Sequence, residues 1–548
     1  MTSETSQLLS DTVEKIFSDH VTKECIISAE KGDWPENLWN EVVDNGLNLV
    51  LVPENLGGVG GSWFDAGILF KAIGRYQAPI PLAENIVAGY LLGLGDIPFP
   101  ENSIITILDG ELDLNDKAML ANLFSGNALP SNTNPIAQAY AGHQFGQFSI
   151  LGDGRAHLLG EKISPDGKRY DIQFKGSGQT PYSRGGDGRA AVGPMLREYL
   201  ISEAMHALKI PTTRSLAVVS TGESIMRSSL LDGAILTRVA SSHIRIGTFE
   251  YAHRMLGYNQ LKKLADYAIE RHYPEVLDDE NPYLSFLNAV IERQAKLVAS
   301  WMHIGFIHGV MNTDNMSICG ETIDYGPCAF MDIFSMERVF SSIDYRGRYK
   351  FGSQAHAAHW NLGRLADSLL PLLHKDMEEA IKLAEASLAE YSQIFNDAWI
   401  SGMRRKLGLH NDEAEDLSLI QKLLDWMQTE KADYTKTFYD LSQESLPDNE
   451  IYSSKGFQEW NAVWKARLAK NSMSLKSSLK MMQANNPVII PNNYHVEEAL
   501  KASEEGDLKV FLSLLEALKE PFEPTILNEP YRNATINPIP NYQTFCGT

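Results

Sequence analysis

The stretch HGVMNTDNMSICGETIDYGP, His308–Pro327, decides how the rest of the chain is interpreted. It places Asp314 and Asn315 side by side and adds a second carboxylate, Asp324, a few residues later. Amide and carboxylate oxygens are the ligands that Mg²⁺ and Mn²⁺ prefer in proteins. The stretch therefore predicts that Asn315 and Asp324 hold a divalent cation beside Asp314. His308 is interpreted as a buried side chain that braces the loop by hydrogen bonds.

The same stretch resembles the catalytic loop and the Asp-Phe-Gly element of protein kinases. In that fold the loop has an Asp that accepts the hydroxyl proton, and a metal-binding Asn five residues later. Here Val310 occupies the position of that Asp, whereas Asn315 and the Asp-Tyr-Gly of Asp324 fall where the metal ligands belong. Two interpretations remain open at this point: a kinase that has decayed, or an enzyme with a different reaction.

A lysine and a glutamate complete a kinase-like order of motifs upstream of this loop. Lys175 ends the alternating run YDIQFK, where a strand lysine of a kinase-like fold contacts nucleotide phosphates and pairs with a helix glutamate. The helical stretch PMLREYLISEAMHAL offers Glu198 and Glu203 for that pairing. Glu198 begins the apolar-periodic part and is the predicted partner.

Glycines and arginines accumulate before the loop. The turn GDGR carries Gly152, Gly154 and Arg155, where glycines leave backbone amides accessible to an anion and the guanidinium adds phosphate contacts. The predicted pocket further includes Asp187, Gly188, Arg238 and Arg245. In so acidic a chain this set favours a local polyphosphate pocket, the alternative being a plain hairpin turn and separate surface ion pairs.

Periodicity and turn residues predict an α+β fold. Residues 105–140 form an irregular approach rich in Ser, Asn, Pro and Gly, and strand-like runs around one strong helix follow to about residue 240. A long helix is expected at 285–304, and residues 360–520 are mostly helical. The motif order favours a two-lobed protein-kinase-like fold with an N-lobe at about 135–250, a C-lobe at about 251–520 and an irregular tail at 521–548.

Composition limits the function classes. With 48 Lys and Arg against 70 Asp and Glu, the formal net charge is −22, which argues against nucleic-acid or anionic-membrane binding. No apolar run approaches a membrane span, and the polar, acidic start MTSETSQLLSDTVEKIF does not resemble a secretory signal. The four scattered cysteines fit neither a disulfide framework nor a zinc template. A cytoplasmic monomer is expected.

The N-terminal part carries a resemblance of its own. GLNLVLVPENLGGVGGSWFDAGILFKAIGRYQAPIPLAENIVAGYLL, within residues 1–105, is similar to the N-terminal helical domain of acyl-CoA dehydrogenases. Nothing later resembles that family's flavin-binding or catalytic domains, so no flavin or acyl-CoA residue is inferred. The expected division is a helical fragment over 1–110 and a second unit over 111–548.

The motifs FKGSGQTPYSRGGDGRA, REYLISEAMHALKIPTTRSLAVV and FGSQAHAAHWNLGRLADSL, with the stretch quoted first, resemble the selenoprotein O (SelO, YdiU) family over about residues 112–548. That family has a protein-kinase-like fold and transfers AMP from ATP to Ser, Thr or Tyr hydroxyls of proteins, with the nucleotide flipped relative to ordinary kinases.

The resemblance implies roles for the predicted site residues. Asp314 accepts the proton, Asn315 and Asp324 hold Mg²⁺ or Mn²⁺, and Glu198 pairs with Lys175. The implied ATP contacts are Gly152, Gly154, Arg155, Lys175, Asp187, Gly188, Arg238 and Arg245. The family's C-terminal redox residue is Cys546 here, and a disulfide to Cys328 is a hypothesis beside that of a free thiol.

Three activities remain open. The first is protein adenylyl transfer, the second a phosphotransferase that uses Asp314, and the third a non-catalytic nucleotide-binding scaffold. The protein substrates and the choice between ATP and UTP are not determined by the sequence.

Overall fold

The computed structural model describes residues 3–30, 34–52, 63–80, 134–164, 167–227, 229–532 and 542–545, together with short pieces between residues 58 and 126. The described residues of the N-terminal part include the helices α1 Ser3–His20, α2 Lys23–Glu30, α3 Glu36–Asp44 and α4 Trp63–Tyr76. They share an apolar core that includes Val13, Phe17, Val42 and Leu69. The helical character predicted for residues 1–110 is therefore confirmed where the structure describes them.

A four-stranded antiparallel sheet follows, in the order β3-β4-β6-β5. Its strands are β3 Ala156–Ile163, β4 Arg169–Lys175, β5 Arg214–Met226 and β6 Leu230–Ala240, and helix α5 Val192–Ala207 packs against β5 and β6. Strand β4 is central, so its last five residues are buried, and the alternation of the strand sends Phe174 into the core and Lys175 to the opposite face.

A separate two-stranded hairpin, β1 Ala139–Gln144 and β2 Gln147–Gly152, precedes the sheet. Phe145 and Gly146 form its turn with φ of 51° and 88°, the left-handed conformations that a tight hairpin requires. Strand β1 contacts helix α6 Ile246–Tyr251 and the loop around Asp314. The prediction of irregular chain up to residue 140 is wrong at its end, because Ala139 already pairs with Gly152.

The remainder is mostly helical around a large core. Two long helices, α8 and α9, pack beside each other and against α10. The helices after α6 are α7 Tyr258–His272, α8 Pro282–His303, α9 Gln354–Leu373, α10 Met377–Lys406, α11 Asp416–Glu430, α12 Tyr434–Leu441, α13 Lys455–Leu468, α14 Leu475–Asn485, α15 Asn493–Glu504 and α16 Lys509–Ala517. A short antiparallel pair, β7 Phe306–Ile307 and β8 Ala329–Phe330, brackets the loop quoted first.

These elements confirm the predicted α+β class and the mostly helical second half. The helix expected at 285–304 runs from Pro282 to His303, and the strand-like runs around α5 all form strands. In the part of the chain that the structure describes, no helix is long and apolar enough to cross a membrane.

Candidate active site

An ion-pair network joins the sheet, helix α5 and the Asp-Tyr-Gly turn. Lys175 Nζ donates to Glu198 Oε2 at 2.5 Å and also contacts Asp324 Oδ1. Arg238, paired in register with Gln173 on the neighbouring strand, contacts Glu198 Oε1. The structure thus forms the Lys175–Glu198 pair that the sequence predicts, while Glu203 pairs with Arg214 instead.

Opposite charges hold the carboxylates of this network ionised. Burial works to raise the pKa of Glu198, but Arg238 and Lys175 outweigh it and the pKa is lowered. Burial likewise opposes ionisation of Asp324, yet Lys175, Arg238 and Arg155 hold its pKa far below the usual range. Asp324 also has a φ of 71°, a left-handed conformation that Asp tolerates better than most residues. A permanently negative Asp324 is suited to bind a cation.

Asp314 has the opposite electrostatic character. It lies in the short 3₁₀ turn Thr313–Asn315 and is only 7% exposed. Burial raises its pKa to about 6, although Arg245 lowers it in part. Its Oδ1 atom is buried and has no hydrogen-bond partner. A carboxylate with a free oxygen and a pKa near neutrality is suited to accept a proton.

Arg245 connects Asp314 to the hairpin end. Its NH1 group donates to the backbone carbonyl of Asp314 at 3.2 Å, and its NH2 group lies 3.3 Å from Asp153 Oδ1. Burial works to lower the pKa of Arg245, but Tyr140, Asp153, Asp324 and Asp314 raise it overall. The Nε–H groups of Arg238 and Arg245 are both buried without a partner, as expected of donors that await an anionic ligand.

The donor set around Asn315 fits a hard divalent cation. Asn315 Nδ2 donates to the Val310 carbonyl at 3.0 Å, which leaves Oδ1 as the free end of the amide. Asp324 uses Oδ1 for Lys175, and its side chain is 31% exposed, so that Oδ2 remains available. Among the described residues no group of three or more His, Cys, Asp and Glu side chains could hold a metal. One amide and one carboxylate oxygen match Mg²⁺, which takes its other ligands from phosphate and water.

The glycines of the predicted phosphate loop serve packing within the protein. A Cβ on Gly152 would lie 2.3 Å from Tyr182 Cγ, and one on Gly154 would lie 3.0 Å from the Tyr182 carbonyl oxygen. Two hydroxyl groups hold the 180–183 segment against this turn. Thr180 donates to the Asp153 carbonyl at 2.7 Å, and Ser183 donates to the Gly154 carbonyl at 2.5 Å. The side of this turn that a Cβ would occupy is therefore packed against the 180–183 segment, and the role of Gly152 and Gly154 in ATP binding stays a prediction.

Two further predicted residues lie in the second glycine-rich loop. Asp187 is exposed and pairs with Arg227 at 2.8 Å, an arginine that the sequence did not single out. A Cβ on Gly188 would lie 2.0 Å from the Gly178 carbonyl oxygen, so this position requires glycine for close backbone approach. The structure gives Asp187 no contact with Lys175, Glu198 or Asp324.

His308 and Val310 have structural roles in the loop. The Nε2–H group of His308 donates to the Ile323 carbonyl at 2.9 Å, next to Asp324, and burial lowers the pKa of this histidine. The predicted bracing role is confirmed. Val310 is 5% exposed and belongs to the buried apolar residues, so it offers no proton acceptor at its position.

Comparison with known proteins shows which family this chain belongs to. Residues 98–519 match the family model described as protein adenylyltransferase SelO, and residues 3–96 match the N-terminal domain of acyl-CoA dehydrogenases. The chain belongs to the SelO family. It is 54% identical over 466 residues to the protein nucleotidyltransferase YdiU of Nitrosococcus oceani, covering 83% of this chain and 94% of that protein. The corresponding protein of Bacillus mycoides is 56% identical over 430 residues, or 78% and 88%. This SelO-family chain is a nucleotidyltransferase.

A buried hydrogen-bond relay, which the sequence did not predict, holds the Asp314 loop in this SelO-family chain. Glu250 on α6 contacts His143 Nδ1 with one oxygen and accepts from the Thr313 hydroxyl with the other, at 2.5 Å. The Thr313 hydroxyl in turn accepts from the His143 backbone N–H at 2.7 Å. The partners of His143 lie 107 and 170 positions away in the chain, so no local pattern relates them.

Removing the Thr313 hydroxyl is expected to reduce turnover. In Thr313→Val the relay loses a donor and an acceptor next to Asp314, and we expect kcat to fall about 10- to 100-fold while KM for ATP stays within about twofold. Thr313→Ser retains the hydroxyl and should recover most of kcat. Steady-state kinetics on both variants check this, and equal losses in the two would contradict a role for the hydroxyl.

The C-terminal segment docks beside Cys328. Thr544 donates its hydroxyl to the Pro327 carbonyl at 2.6 Å, and its backbone N–H to the Phe340 carbonyl at 2.8 Å. Cys328 is a buried free thiol, and burial raises its pKa to about 12. Cys546 lies outside the described residues, so its disulfide with Cys328 stays a prediction.

Proposed function

We propose that this chain transfers AMP from ATP to a Ser, Thr or Tyr hydroxyl of a protein and releases pyrophosphate. The observation that carries the proposal is the buried Asp314 Oδ1 atom, which has no hydrogen-bond partner, in a loop that has Val310 in place of the kinase base. Arg245 fixes this loop by donating to the Asp314 backbone carbonyl at 3.2 Å. Family membership supports the reaction class, because the matching model is described as a protein adenylyltransferase.

Asp314 takes the proton of the acceptor hydroxyl. The hydroxyl oxygen then forms a bond to the α-phosphorus, and the bond between that phosphorus and the bridging oxygen to the β-phosphate breaks. Since the pKa of Asp314 is raised to about 6, the carboxylate is ionised at neutral pH yet basic enough to receive a proton. Pyrophosphate leaves as the anion.

Lys175, Arg238 and Arg245 bind the phosphates. Their cationic groups lie in or beside the ion-pair network. The unpartnered Nε–H groups of the two arginines supply donors that an anion can use. Arg155 adds positive charge near Asp324. In the flipped orientation expected for this family, these groups would hold the terminal phosphates and leave the α-phosphate towards the acceptor.

Asn315 and Asp324 would hold Mg²⁺ or Mn²⁺. A divalent cation bound there supplies charge neutralisation to the phosphates as pyrophosphate departs. The chain's own contribution is orientation, because His308 fixes the segment before Asp324 and the Val310 carbonyl fixes the Asn315 amide.

We also propose that the fold is the two-lobed kinase-like fold expected from the motif order. The small antiparallel sheet with α5 would be the N-lobe, and the helical half the C-lobe. The lysine–glutamate pair and the Asp-Tyr-Gly turn support that assignment, because they join the two parts as their kinase counterparts do. The first 110 residues would then form a separate helical unit.

Labelled ATP tests the proposed reaction. The protein is incubated with Mg²⁺, an acceptor protein mixture, and ATP labelled in turn at the α- and γ-phosphate. We expect acid-stable label in protein only from α-labelled ATP, and none when EDTA is present. Label from γ-labelled ATP would instead indicate phosphoryl transfer, and bound nucleotide without any label would indicate a scaffold.

A further inference from the structure

Four arginines lie just after α6, in the turn that follows Asp344, and on helix α9. We call Arg254, Arg346, Arg348 and Arg364 the arginine surface. Arg254 and Arg346 are exposed, and Arg348 and Arg364 are half-buried. Such a concentration of positive charge contrasts with the formal net charge of −22 for the whole chain.

Aromatic rings connect three of these arginines, and Arg346 lies two residues before Arg348 in the chain. Arg254 lies over the ring of Phe148 at 4.0 Å, and Arg348 and Arg364 lie over Trp360 at 4.8 and 5.0 Å. His143 connects the two rings, with its centroid 5.4 Å from Phe148 and 5.3 Å from Trp360. A guanidinium held over an aromatic ring keeps N–H groups at its edge that can bind a carboxylate.

The arginine surface has little negative charge of its own. Arg254, Arg346 and Arg348 form no ion pair with any carboxylate that the structure describes, whereas Arg364 pairs with Asp367 at 2.9 Å. The nearby carboxylate of Asp344 accepts from the backbone N–H groups of Arg348 and Tyr349, both at 2.8 Å. Positive charge on this surface is therefore left for a partner.

The arginine surface borders the catalytic loop. Tyr349, next to Arg348, donates its hydroxyl to Asn312 Oδ1 at 2.8 Å, and Asn312 also accepts from the backbone N–H of Phe145 at 3.0 Å. Burial is the main cause that raises the pKa of Tyr349 to about 12, and the negative charge of Asp314 adds to this effect. Tyr349 and Asn312 therefore connect the arginine surface to the turn that carries Asp314.

We propose that the arginine surface binds acidic segments of the acceptor protein, flanking the hydroxyl that receives AMP. The inference rests on the proposed function for the identity of the acceptor as a protein. Carboxylate side chains of Asp and Glu complement the free guanidinium edges, and their attraction also counters repulsion from the acidic body of the enzyme.

Three synthetic serine peptides test this inference: one flanked by Asp and Glu, one with Asn and Gln in their place, and one with Lys. Peptide binding is measured by fluorescence anisotropy without ATP, and AMP transfer is measured with α-labelled ATP and Mg²⁺. We expect the acidic peptide to bind and react about tenfold better than the neutral one, mainly through KM, and the advantage to fall with added salt.

The double variant Arg254→Gln, Arg346→Gln should remove most of this advantage. The control Lys382→Gln, Lys455→Gln changes the charge equally at exposed positions on α10 and α13 and should retain it. Equal binding of acidic and neutral peptides, or competition only by a single-stranded oligonucleotide, would overturn the proposal. If no peptide accepts AMP while the acidic peptide binds through these arginines, the proposed AMP transfer is contradicted. The binding of acidic segments by the arginine surface is then still supported.

Discussion

Asp314→Asn is expected to lose AMP transfer by about 10²- to 10⁴-fold, the range that general-base catalysis contributes. Asn cannot accept the hydroxyl proton, although it matches Asp in size and preserves the turn next to Asn315. ATP binding should remain, because Arg245 donates to the backbone carbonyl of Asp314, which the variant keeps, and Lys175 and Arg238 pair with Glu198. Transfer of α-label and nucleotide binding, measured on the same preparation, separate the two effects.

The same variant should be more stable than the wild type above pH 6. The folded-state pKa of Asp314 is about 6, above its ordinary value, so its ionisation reduces stability as pH rises from about 4 to 6. A shift of this size corresponds to at most about 3 kcal/mol, and the gain in stability of Asp314→Asn should vanish near pH 4.

For the wild type, kcat/KM should fall below about pH 6 as the base becomes protonated.

Denaturant unfolding across this pH range, with EDTA present, measures the stability difference. Asp397→Asn is a matched control, since Asp397 is an exposed carboxylate that accepts from Gln393 on the same helix. It should change neither activity nor the pH profile. Transfer by Asp314→Asn within about tenfold of the wild type would exclude Asp314 as the proton acceptor.

Glu198→Gln is expected to destabilise the fold and abolish productive ATP binding. Glu198 is 2% exposed and is the carboxylate between Lys175 and Arg238, so its replacement leaves two buried cations with only Asp324 to balance them. Breaking a buried ion pair from one side costs about 3–5 kcal/mol. Urea unfolding at pH 7 measures this loss, and nucleotide titration measures the effect on binding.

The pH dependence of that loss follows from the lowered pKa of Glu198. A carboxylate whose pKa is lowered in the folded state stabilises the fold at pH values above its unfolded-state pKa. This contribution is lost as the pH falls. The difference between wild type and Glu198→Gln should therefore shrink below about pH 4.

Glu203→Gln provides the control on the same helix. Glu203 forms a two-point contact with Arg214 at the rim of the sheet and touches neither Lys175 nor Asp324. We expect a loss of about 1–2 kcal/mol and normal AMP transfer. Comparable losses of ATP binding in both variants would contradict the assignment of Glu198 as the partner of Lys175.

Local sequence patterns predicted many of the strands and helices of this protein. Alternation identified the strand that ends at Lys175, and periodicity identified α5 with Glu198 at its correct position. Residue chemistry was sufficient to select Asp314, Asn315 and Asp324, because few residue types bind cations or accept protons. The strand and the helix were predictable because each depends on residues close together in the chain, whereas the roles of Asp314, Asn315 and Asp324 stay predictions.

Tertiary structure decided what depends on distant residues. The pKa of Asp314 follows from burial and from Arg245, and the relay of His143, Glu250 and Thr313 joins segments that no spacing rule connects. The glycines at 152 and 154 predicted an anion loop, and the fold shows in addition that one side of this turn packs against Tyr182. The sequence by itself determined the types of reacting groups and the order of the elements that carry them. Only packing decided their protonation, their partners and their accessible faces, since burial and electric fields arise from the folded whole.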